Sequence, residues 1–355
     1  MGSATVYHLA KRGVRVLGLD QFHPPHAFGS SHGQTRIIRE AYFEHPAYVP
    51  LVQRAYALWD ELSRDTNTKL FLQTGGLMIG APQGVVAGGA RLSAETHRLP
   101  FEVLSAEQIQ KRFPALRPGE NMVGILEPRA GILFPEQCVA AHLDHARAAQ
   151  LNYDEQVLRW KRDGTGVQVT TNKETYACAH LVLSAGSWLK RLVPELPLVV
   201  ERQVLFWFAS SRPDIFRPDR CPIHLWEHTT GRYFYGFPDL GNGVKVAGHH
   251  EGQIVEPDKI NRTVSPSEIE DMQQLVAPFL PALTGLCLES VVCMYTNTPD
   301  GHFLIDRHPE HPQVLLVSPC SGHGFKFSSA IGEVAADLIT NRPSVFDLSL
   351  FRFRW

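Results

Sequence analysis

The sequence predicts an α/β protein of two domains, one built on parallel strands and the other on a mainly antiparallel sheet. Three observations lead to this prediction. A helical segment over 4–11 runs into an apolar strand over 14–19. A strand, glycine turn and helix follow one another near the C-terminus, and residues 200–290 contain several β-like runs separated by proline and glycine. With 355 residues, 44% of them hydrophobic, the chain is long enough to bury two cores.

The N-terminal segment has the order of the second half of a β-α-β unit. Its helix stops at Gly13, and the strand that follows ends in Asp20. In dinucleotide-binding proteins a G-x-G-x-x-G loop leads into such a helix, and an acidic residue about 20 positions further on binds the ribose. Gly2 fits the last glycine of that loop and Asp20 fits the acid, although a solvated carboxylate is the plain alternative. We therefore expect the chain to begin inside the loop, without the first strand and the first two glycines.

Glycine turns after apolar strands are further candidate ligand contacts. Helices are predicted over 48–62 and 136–149, with short elements of an inserted domain between them. The strand over 179–184 runs into a small-residue turn at Gly186, which either a ligand or a plain tight turn would explain. Near the C-terminus two glycines precede a helix over 325–338, and helix N-termini attract anions and electron-rich groups.

Composition and charge narrow the class of protein. A formal net charge of −2 without runs of like charge gives no general attraction to nucleic acid or to an anionic membrane. The sequence has neither an apolar stretch of about 18 residues nor a secretory signal, so we expect a cytoplasmic protein. The six cysteines form no C-x-x-C pair, which argues against a zinc ribbon and a disulfide scaffold. Two H-x-x-H pairs flank prolines, and no metal site is expected there.

Several basic side chains need a partner. The stretch HGQTRIIR would place Arg36 and Arg39 on one face at helical spacing, where two cations require carboxylates of the fold or an anionic ligand. Lys326 opens the predicted C-terminal helix, where its charge opposes the dipole, so a substrate carboxylate or a cofactor carbonyl would explain it. Lys245 and His249 lie in an apolar strand pattern, which by itself favours a solvent-facing lysine.

Five stretches in the same order and at the same spacings carry a family resemblance: DQFHPPHAFGSSHGQTRIIREAY, ERQVLFWF, YGFP, CMYTNTPDGHFLIDRHPEH and SGHGFKFSS. Over essentially the whole chain they resemble the monomeric sarcosine oxidase family, which includes N-methyltryptophan oxidase and peroxisomal sarcosine/pipecolate oxidase. The resemblance implies a Rossmann-like FAD-binding domain and a mainly antiparallel substrate domain, as in p-hydroxybenzoate hydroxylase and D-amino-acid oxidase. It assigns residues 1–65, 133–198 and 290–355 to the FAD-binding domain and 66–132 and 199–289 to the substrate-binding domain.

The activity implied by the resemblance is oxidation of the secondary amine of a small N-methyl amino acid by a monomeric FAD enzyme. O2 would be reduced to hydrogen peroxide, and sarcosine would give glycine and formaldehyde after hydrolysis of the imine. Three alternatives stay open. The first is an oxidase of pipecolate, of an N-methyl aromatic or of a sugar-modified amino acid. The second is an inactive remnant without flavin. The third is a nicotinamide dehydrogenase, which would leave the C-terminal glycine turn without a role.

The resemblance also implies roles for individual residues. Cys293, in C-M-Y-T, would form a thioether with the flavin. Arg39 and Lys326 would bind the substrate carboxylate, and Lys245 would lie over the opposite flavin face, where a cation favours electron transfer to O2. The remaining catalytic candidates are His32, Thr35, Arg36, Tyr235 and His249. The cofactor contacts, besides Cys293, are Gly2, Asp20, Ser31, His32, Arg36, Gly186, Tyr295, Gly322, Gly324, Phe325 and Lys326.

Two further segments bear on the substrate. Tyr42 and Glu44 fall on a loop that the resemblance places at the mouth of the site. Ser318-Pro319-Cys320 departs from the glycine and aromatic residue that the family commonly has before S-G-H-G-F-K, which would reshape the wall beside the flavin.

Overall fold

The computed structural model describes residues 1–353 and confirms the mixed α/β fold class. The α-helices are α1 (Gly2–Lys11), α2 (Val49–Thr66), α3 (Val85–His97), α4 (Ala106–Arg112), α5 (Pro135–His145), α6 (Leu189–Leu192), α7 (Pro266–Val276) and α8 (Ser328–Ile339). The strands are β1 (Leu17–Leu19), β2 (Arg36–Ile38), β3 (Phe71–Gln73), β4 (Gly76–Gly80), β5 (Glu102–Ser105), β6 (Val123–Glu127), β7 (Gly131–Leu133), β8 (Gln150–Asn152), β9 (Val157–Asp163), β10 (Gly166–Thr171), β11 (Thr175–Cys178), β12 (Leu181–Leu183), β13 (Val199–Ser210), β14 (Ile223–Thr229), β15 (Arg232–Gly236), β16 (Val244–His249), β17 (Leu283–Asn297), β18 (Leu304–Arg307) and β19 (Val314–Ser318).

The half that contains α1 and α8 is built on parallel strands in two separate sheets. β1 pairs in parallel with β8, and β12 pairs in parallel with β19, to which β18 adds in antiparallel orientation. The helices α1, α2, α5 and α8 share one apolar core. α1 approaches α8 so closely that a Cβ at Gly332 would lie 2.5 Å from the backbone of Ala4. Glycine at this position therefore lets the two helices touch.

The other half is an eight-stranded sheet in the order β17-β13-β16-β15-β14-β4-β6-β5. Its neighbouring strands are antiparallel except for β14 and β4. Trp207 on β13 lies opposite both Lys245 on β16 and Glu289 on β17. Since directly opposite residues project to the same face of a sheet, these three side chains share one face.

The predicted elements exist, but their ends differ from the predictions. The first helix begins at Gly2, and the strand predicted over 14–19 is confined to β1, because the amide of Val14 donates to Leu9 O and closes the helix instead. The single helix predicted over 325–338 is a 3₁₀ turn, Phe325–Phe327, followed by α8. Within residues 1–353, no helix combines the length and the apolar character needed to cross a bilayer.

Candidate active site and cofactor cavity

A cavity of about 1110 Å³ lies at the carboxyl ends of the parallel strands and reaches the large sheet. This volume is slightly larger than the usual range for ligand sites, roughly 300–1,000 Å³. Most residues that the sequence singled out line it: Gly2, Asp20, Ser31, Arg36, Arg39, Gly186, Tyr235, His249, Cys293, Tyr295, Gly322, Gly324, Phe325 and Lys326. Three others, His32, Thr35 and Lys245, are buried behind its wall.

The end of the cavity near α1 is lined by small residues. A Cβ on Gly2 would lie 3.0 Å from the Ser184 hydroxyl, so the start of α1 and the end of β12 meet there. Gly186 has a φ of +53°, and a Cβ on it would meet no atom within 4 Å. Asp20 closes β1, and its Oδ1 accepts a hydrogen bond of 2.9 Å from the amide of Phe22. The amides of a first helical turn have no partners within the helix, so this end can receive an anionic group.

Cys293 lies in the middle of the cavity wall on β17, almost fully buried at 2% exposure. Nη2 of Arg36 lies 3.6 Å from its Sγ and also donates to Ser30 O at 2.8 Å. This contact holds the sulfur in the cavity wall next to a basic side chain. The arrangement therefore suits a cysteine that reacts with a ligand in the cavity.

The prediction that Arg36 and Arg39 share a helical face is wrong. Residues 36–38 form β2, because the two isoleucines favour an extended backbone, and β2 pairs with β7. Side chains three positions apart on a strand point to opposite faces. The two arginines nevertheless both line the cavity, and they occupy different parts of its wall.

Arg39 is the more deeply buried of the two and has an anionic partner within the protein. Its Nη2 donates to both carboxylate oxygens of Glu44, at 2.8 and 2.7 Å, and its Nη1 donates to Ala41 O at 3.0 Å. The guanidinium stacks on the rings of Tyr42 and Phe43 at 4.2 and 4.4 Å. Burial raises the pKa of Glu44, but Arg39 and the other basic side chains nearby together hold it below its usual value.

Lys326, which is far from Arg39 in the sequence, contacts the same ring of Tyr42. Its Nζ lies 5.2 Å from the ring centroid, donates to His323 O at 2.7 Å and lies 3.4 Å from the Tyr42 hydroxyl. Burial and the neighbouring Arg39 lower the pKa of Lys326 to about 7. Two basic side chains thus converge beside one tyrosine, and Glu44 bonds to Arg39 while its negative charge also acts on Lys326.

His323 fixes the hydroxyl of Tyr42. Its Nε2 lies 3.0 Å from the carbonyl of Gly301, which can only accept, so Nε2 carries the proton. Nδ1 must then accept from the Tyr42 hydroxyl at 2.6 Å. Burial lowers the pKa of His323 to about 4, consistent with a neutral ring.

A second group of rings lines the wall between Cys293 and Lys326. Nδ1 of His249 lies 3.2 Å from the hydroxyl of Tyr295, and Tyr235 lies close to both rings. Gly322, with a φ of +77°, packs against this group, since a Cβ there would lie 2.7 Å from Tyr295 and 3.0 Å from His249. Burial lowers the pKa of His249 and raises that of Tyr295, so both rings are neutral near pH 7.

Lys245 is buried and not solvent-facing, contrary to the simpler interpretation of its strand pattern. Its Nζ donates to Gly33 O at 2.6 Å, to Thr35 O at 3.0 Å and to Thr35 Oγ1 at 2.9 Å. The rings of Trp207 and Phe237 lie 5.0 and 4.8 Å from it. Burial, followed by the charge of Arg36, lowers the pKa of Lys245 well below its usual value.

The cavity fits a flavin dinucleotide in size and chemistry. It offers a helix N-terminus and a strand-end carboxylate at one end, and a cysteine and basic side chains at the other. Next to the wall, His32 has a buried Nε2 without a hydrogen-bond partner within residues 1–353, and burial lowers the pKa of this histidine to about 3. A buried polar atom without a partner is costly, and a ligand is one way to satisfy it. The described residues form no cluster of three or more metal-ligating side chains.

Comparison with known proteins agrees with this chemistry. The family model described as FAD dependent oxidoreductase matches residues 1–338. The chain belongs to this family. The monomeric sarcosine oxidase of Streptomyces avermitilis is 42% identical to this FAD-dependent oxidoreductase over 99% of the chain and 94% of the relative. That of Bacillus sp. strain B-0618 is 39% identical over 99% and 92%, and the N-methyl-L-tryptophan oxidase of Salmonella arizonae is 36% identical over 99% and 95%.

Solved structures with lower sequence identity support the fold of the oxidoreductase. NikD, described as an unusual amino acid oxidase essential for nikkomycin biosynthesis, is 21% identical with a TM-score of 0.84, over 99% of this chain and 94% of that one. The glycine oxidase of Geobacillus kaustophilus is 19% identical with a TM-score of 0.82, over 99% and 95%. The fold prediction and the family resemblance are therefore confirmed.

Sequence reasoning missed three residues at the site of this oxidoreductase. His323 lies between the two glycines of S-G-H-G-F-K, and that position was the only signal for it. Trp207 and Phe237, which contact Lys245, lie in aromatic strand patterns that resemble ordinary core.

Proposed function

We propose that this FAD-dependent oxidoreductase oxidises the secondary amine of a small N-methyl amino acid such as sarcosine. One molecule each of substrate, O2 and water would give the demethylated amino acid, formaldehyde and hydrogen peroxide. The observation that carries the proposal is that Arg39 and Lys326, which line the same cavity as Cys293, converge on the buried ring of Tyr42. Two basic groups can hold one carboxylate, and a held carboxylate fixes the position of the amine next to it.

Glu44 acts as an internal stand-in for the substrate carboxylate in this proposal. It occupies Nη2 of Arg39 and contributes a negative charge next to Lys326. A substrate carboxylate must displace Glu44 from Arg39, and the loop that carries Glu44 would then move. Without a substrate the pair satisfies a buried guanidinium, which is expensive to leave unpaired. Anions from solvent that bind Arg39 more weakly than Glu44 does would therefore not displace it.

The residues that would hold FAD are those at the two ends of the cavity. Gly2, Gly186 and Asp20 would take the pyrophosphate and ribose, and Cys293 would form the covalent thioether, supported by Arg36 at 3.6 Å. The flavin would supply the acceptor for two electrons and a proton from the substrate and would pass the electrons to O2. Tyr235, His249 and Tyr295 would exclude water and hold the amine in its uncharged form, because the nearby cations disfavour an ammonium.

Lys245 is buried behind the cavity wall beside Gly33, and Arg36 is the basic side chain whose charge acts on it. Its ammonium would be a fixed positive charge near the oxygen-reacting face of the flavin. Fixed charges in a dry site stabilise a developing negative charge strongly. We therefore assign Lys245 to the reaction with O2 and the Arg39 and Lys326 pair to the substrate.

The experiment that tests the proposal uses the purified protein and a panel of amines. The protein should absorb at about 450 nm, as flavoproteins do, and the chromophore should stay with the polypeptide after acid precipitation. Sarcosine, N-methyltryptophan, pipecolate and a fructosyl amino acid are then compared by peroxide release. We expect turnover of sarcosine or of another N-methyl amino acid. A colourless protein without peroxide release from any of these amines would overturn the proposal.

Cys293→Ser separates the tether from the activity. This variant should still bind flavin through the rest of the cavity but release it when denatured. Flavin that remains covalently attached in the variant would show that the tether lies elsewhere. We also propose that the protein acts as a monomer, which size-exclusion chromatography with light scattering tests directly.

A further inference from the structure

The turn over Gly33–Thr35 has an unusual backbone. The amide of Thr35 donates to Gly33 O at 2.7 Å, which closes a three-residue γ-turn around Gln34. Gln34 has a φ of +68° and Gly33 a φ of +90°. A γ-turn with a positive φ at its centre is rare and strained, and a non-glycine residue makes it costlier. Such strain persists only where the surroundings hold it in place.

The inner side of this turn holds Lys245. Gly33 O, Thr35 O and Thr35 Oγ1 accept three hydrogen bonds from Nζ, the number that an ammonium can donate. The turn therefore favours the charged form of Lys245 against the burial that lowers its pKa. Gly33 packs against the sheet so closely that a Cβ would lie 2.5 Å from Leu205. The conformation of the turn therefore determines where these oxygens point, and with them the position of Nζ.

The outer side of the turn is held by Gln34, which is exposed while its two neighbours are buried. Its amide donates to Glu136 Oε1 at 3.0 Å, and its side-chain Nε2 donates to Glu289 Oε2 at 3.2 Å. Its Oε1 accepts from Asn242 at 2.5 Å. These three partners belong to α5, to β17 and to the turn just before β16.

The anchors of Gln34 are placed around Lys245 itself. Glu289 and Lys245 both lie opposite Trp207 and share its face of the sheet, while Asn242 precedes Lys245 by three residues. A solvated loop residue does not require hydrogen bonds to three separate elements, but Gln34 makes them. It links the strained turn to the strands on either side of the lysine.

We propose that Gln34 is a positioning residue that holds the γ-turn against Lys245 and thereby fixes the ammonium for its reaction with O2. The inference rests on the proposed function of Lys245. When the side-chain bonds of Gln34 are lost, the turn relaxes to a lower-energy conformation and its two carbonyls rotate away from Nζ. Lys245 then samples several positions, and the charge that should meet O2 is no longer fixed.

Two variants of one residue separate tethering from backbone strain. Gln34→Gly accepts a positive φ without strain, Gln34→Ala keeps the strain, and both remove the side-chain bonds. Gln137→Ala is the matched control, since it removes an exposed glutamine beside Glu136 that makes no contact with the turn. If strain alone mattered, the glycine and alanine variants would differ from each other. If the tether matters, both change in the same direction.

The first readout is hydrogen–deuterium exchange at the Thr35 amide, which closes the turn and does not depend on flavin. The second is the bimolecular rate constant for reoxidation of the reduced enzyme by O2, with the rate of reduction by substrate as internal reference. We expect exchange to quicken and the O2 rate constant to fall, each by about fivefold to tenfold, the size expected when one or two exposed side-chain hydrogen bonds are lost. Reduction by substrate should stay within about twofold of the unmodified protein, as expected for surface changes away from the substrate groups.

The outcomes separate the inference from the function on which it rests. Unchanged Thr35 exchange in both variants overturns the positioning role, whatever the activity. Faster exchange together with an unchanged O2 rate constant overturns the link to oxygen. An unmodified enzyme that takes up substrate electrons but does not react with O2 overturns the role of Lys245 itself, and in that case the exchange result still decides whether Gln34 holds the turn.

Discussion

The pair between Glu44 and Arg39 offers a sharp test of how the substrate carboxylate binds. In Glu44→Gln the side chain keeps its shape but loses its charge and one acceptor oxygen. Nη2 of Arg39 then holds one neutral acceptor instead of two charged ones. Each hydrogen bond that involves a charged group contributes about 1.5–3 kcal/mol, and Nη2 keeps one of its two, so the competing interaction weakens by at least about 1.5 kcal/mol.

That difference converts to a carboxylate affinity about tenfold higher in the variant. Isothermal titration calorimetry with acetate measures it without turnover. The measurement belongs at about pH 6, where Lys326, with a pKa of about 7, is still mostly protonated. The variant should also be less stable, because the buried guanidinium of Arg39 loses its counter-charge.

Glu40→Gln is the matched control for this experiment. Glu40 is another buried carboxylate, paired with Arg129 at 2.9 Å, and it does not line the cavity. Its variant removes a buried carboxylate charge in the same way and should leave acetate affinity unchanged. Acetate that binds Glu44→Gln no more tightly than the unmodified protein would show that Glu44 does not compete for the substrate site.

Three further predictions follow from the same site. Acetate affinity should fall as the pH rises through about 7, since Lys326 loses its charge there. Lys326→Met should bind acetate weakly and without this pH dependence. A pH dependence that persists in the variant would assign it to another group. Lys245→Met should slow reoxidation of the reduced enzyme by O2 by about 100-fold or more while sparing reduction by substrate; equal losses in both half-reactions would contradict the division of roles. Gly322→Ala should lower the free energy of unfolding by about 1–3 kcal/mol through strain at positive φ and should also weaken flavin retention, because its Cβ would press on Tyr295 at 2.7 Å. Gly231→Ala is its control, since Gly231 has a φ of +75° but open space around it, and chemical denaturation with flavin fluorescence measures both.

Local pattern was enough to predict the elements at both chain ends. The helix over α1, the short apolar strand before Asp20 and the glycine turn before α8 follow from periodicity and from turn residues that leave few alternatives. The predicted boundaries of these elements were wrong where a hydrogen bond determines the boundary, as at Val14 and at the 3₁₀ turn over Phe325–Phe327. Such bonds depend on tertiary neighbours that periodicity does not describe.

The site itself depended on contacts far apart in sequence. The stretch over Arg36–Ile38 has charges at helical spacing, but pairing with β7 makes it a strand. Lys245 looked solvent-facing because a strand pattern does not say what covers each face. Glu44, Tyr42 and His323 come together only through the fold, and their hydrogen bonds determine which of the basic groups has a partner. The family resemblance supplied the roles that pattern alone left open.

The most direct test of the whole account is a crystal structure of the flavin-loaded protein with acetate bound. The account predicts acetate within hydrogen-bond distance of Arg39 and Lys326 on one face of the flavin, Glu44 displaced from Arg39, a bond from Cys293 to the flavin, and Lys245 on the other face. Acetate elsewhere in the cavity, with Glu44 still on Arg39 and Lys245 on the same face as the ligand, would contradict it.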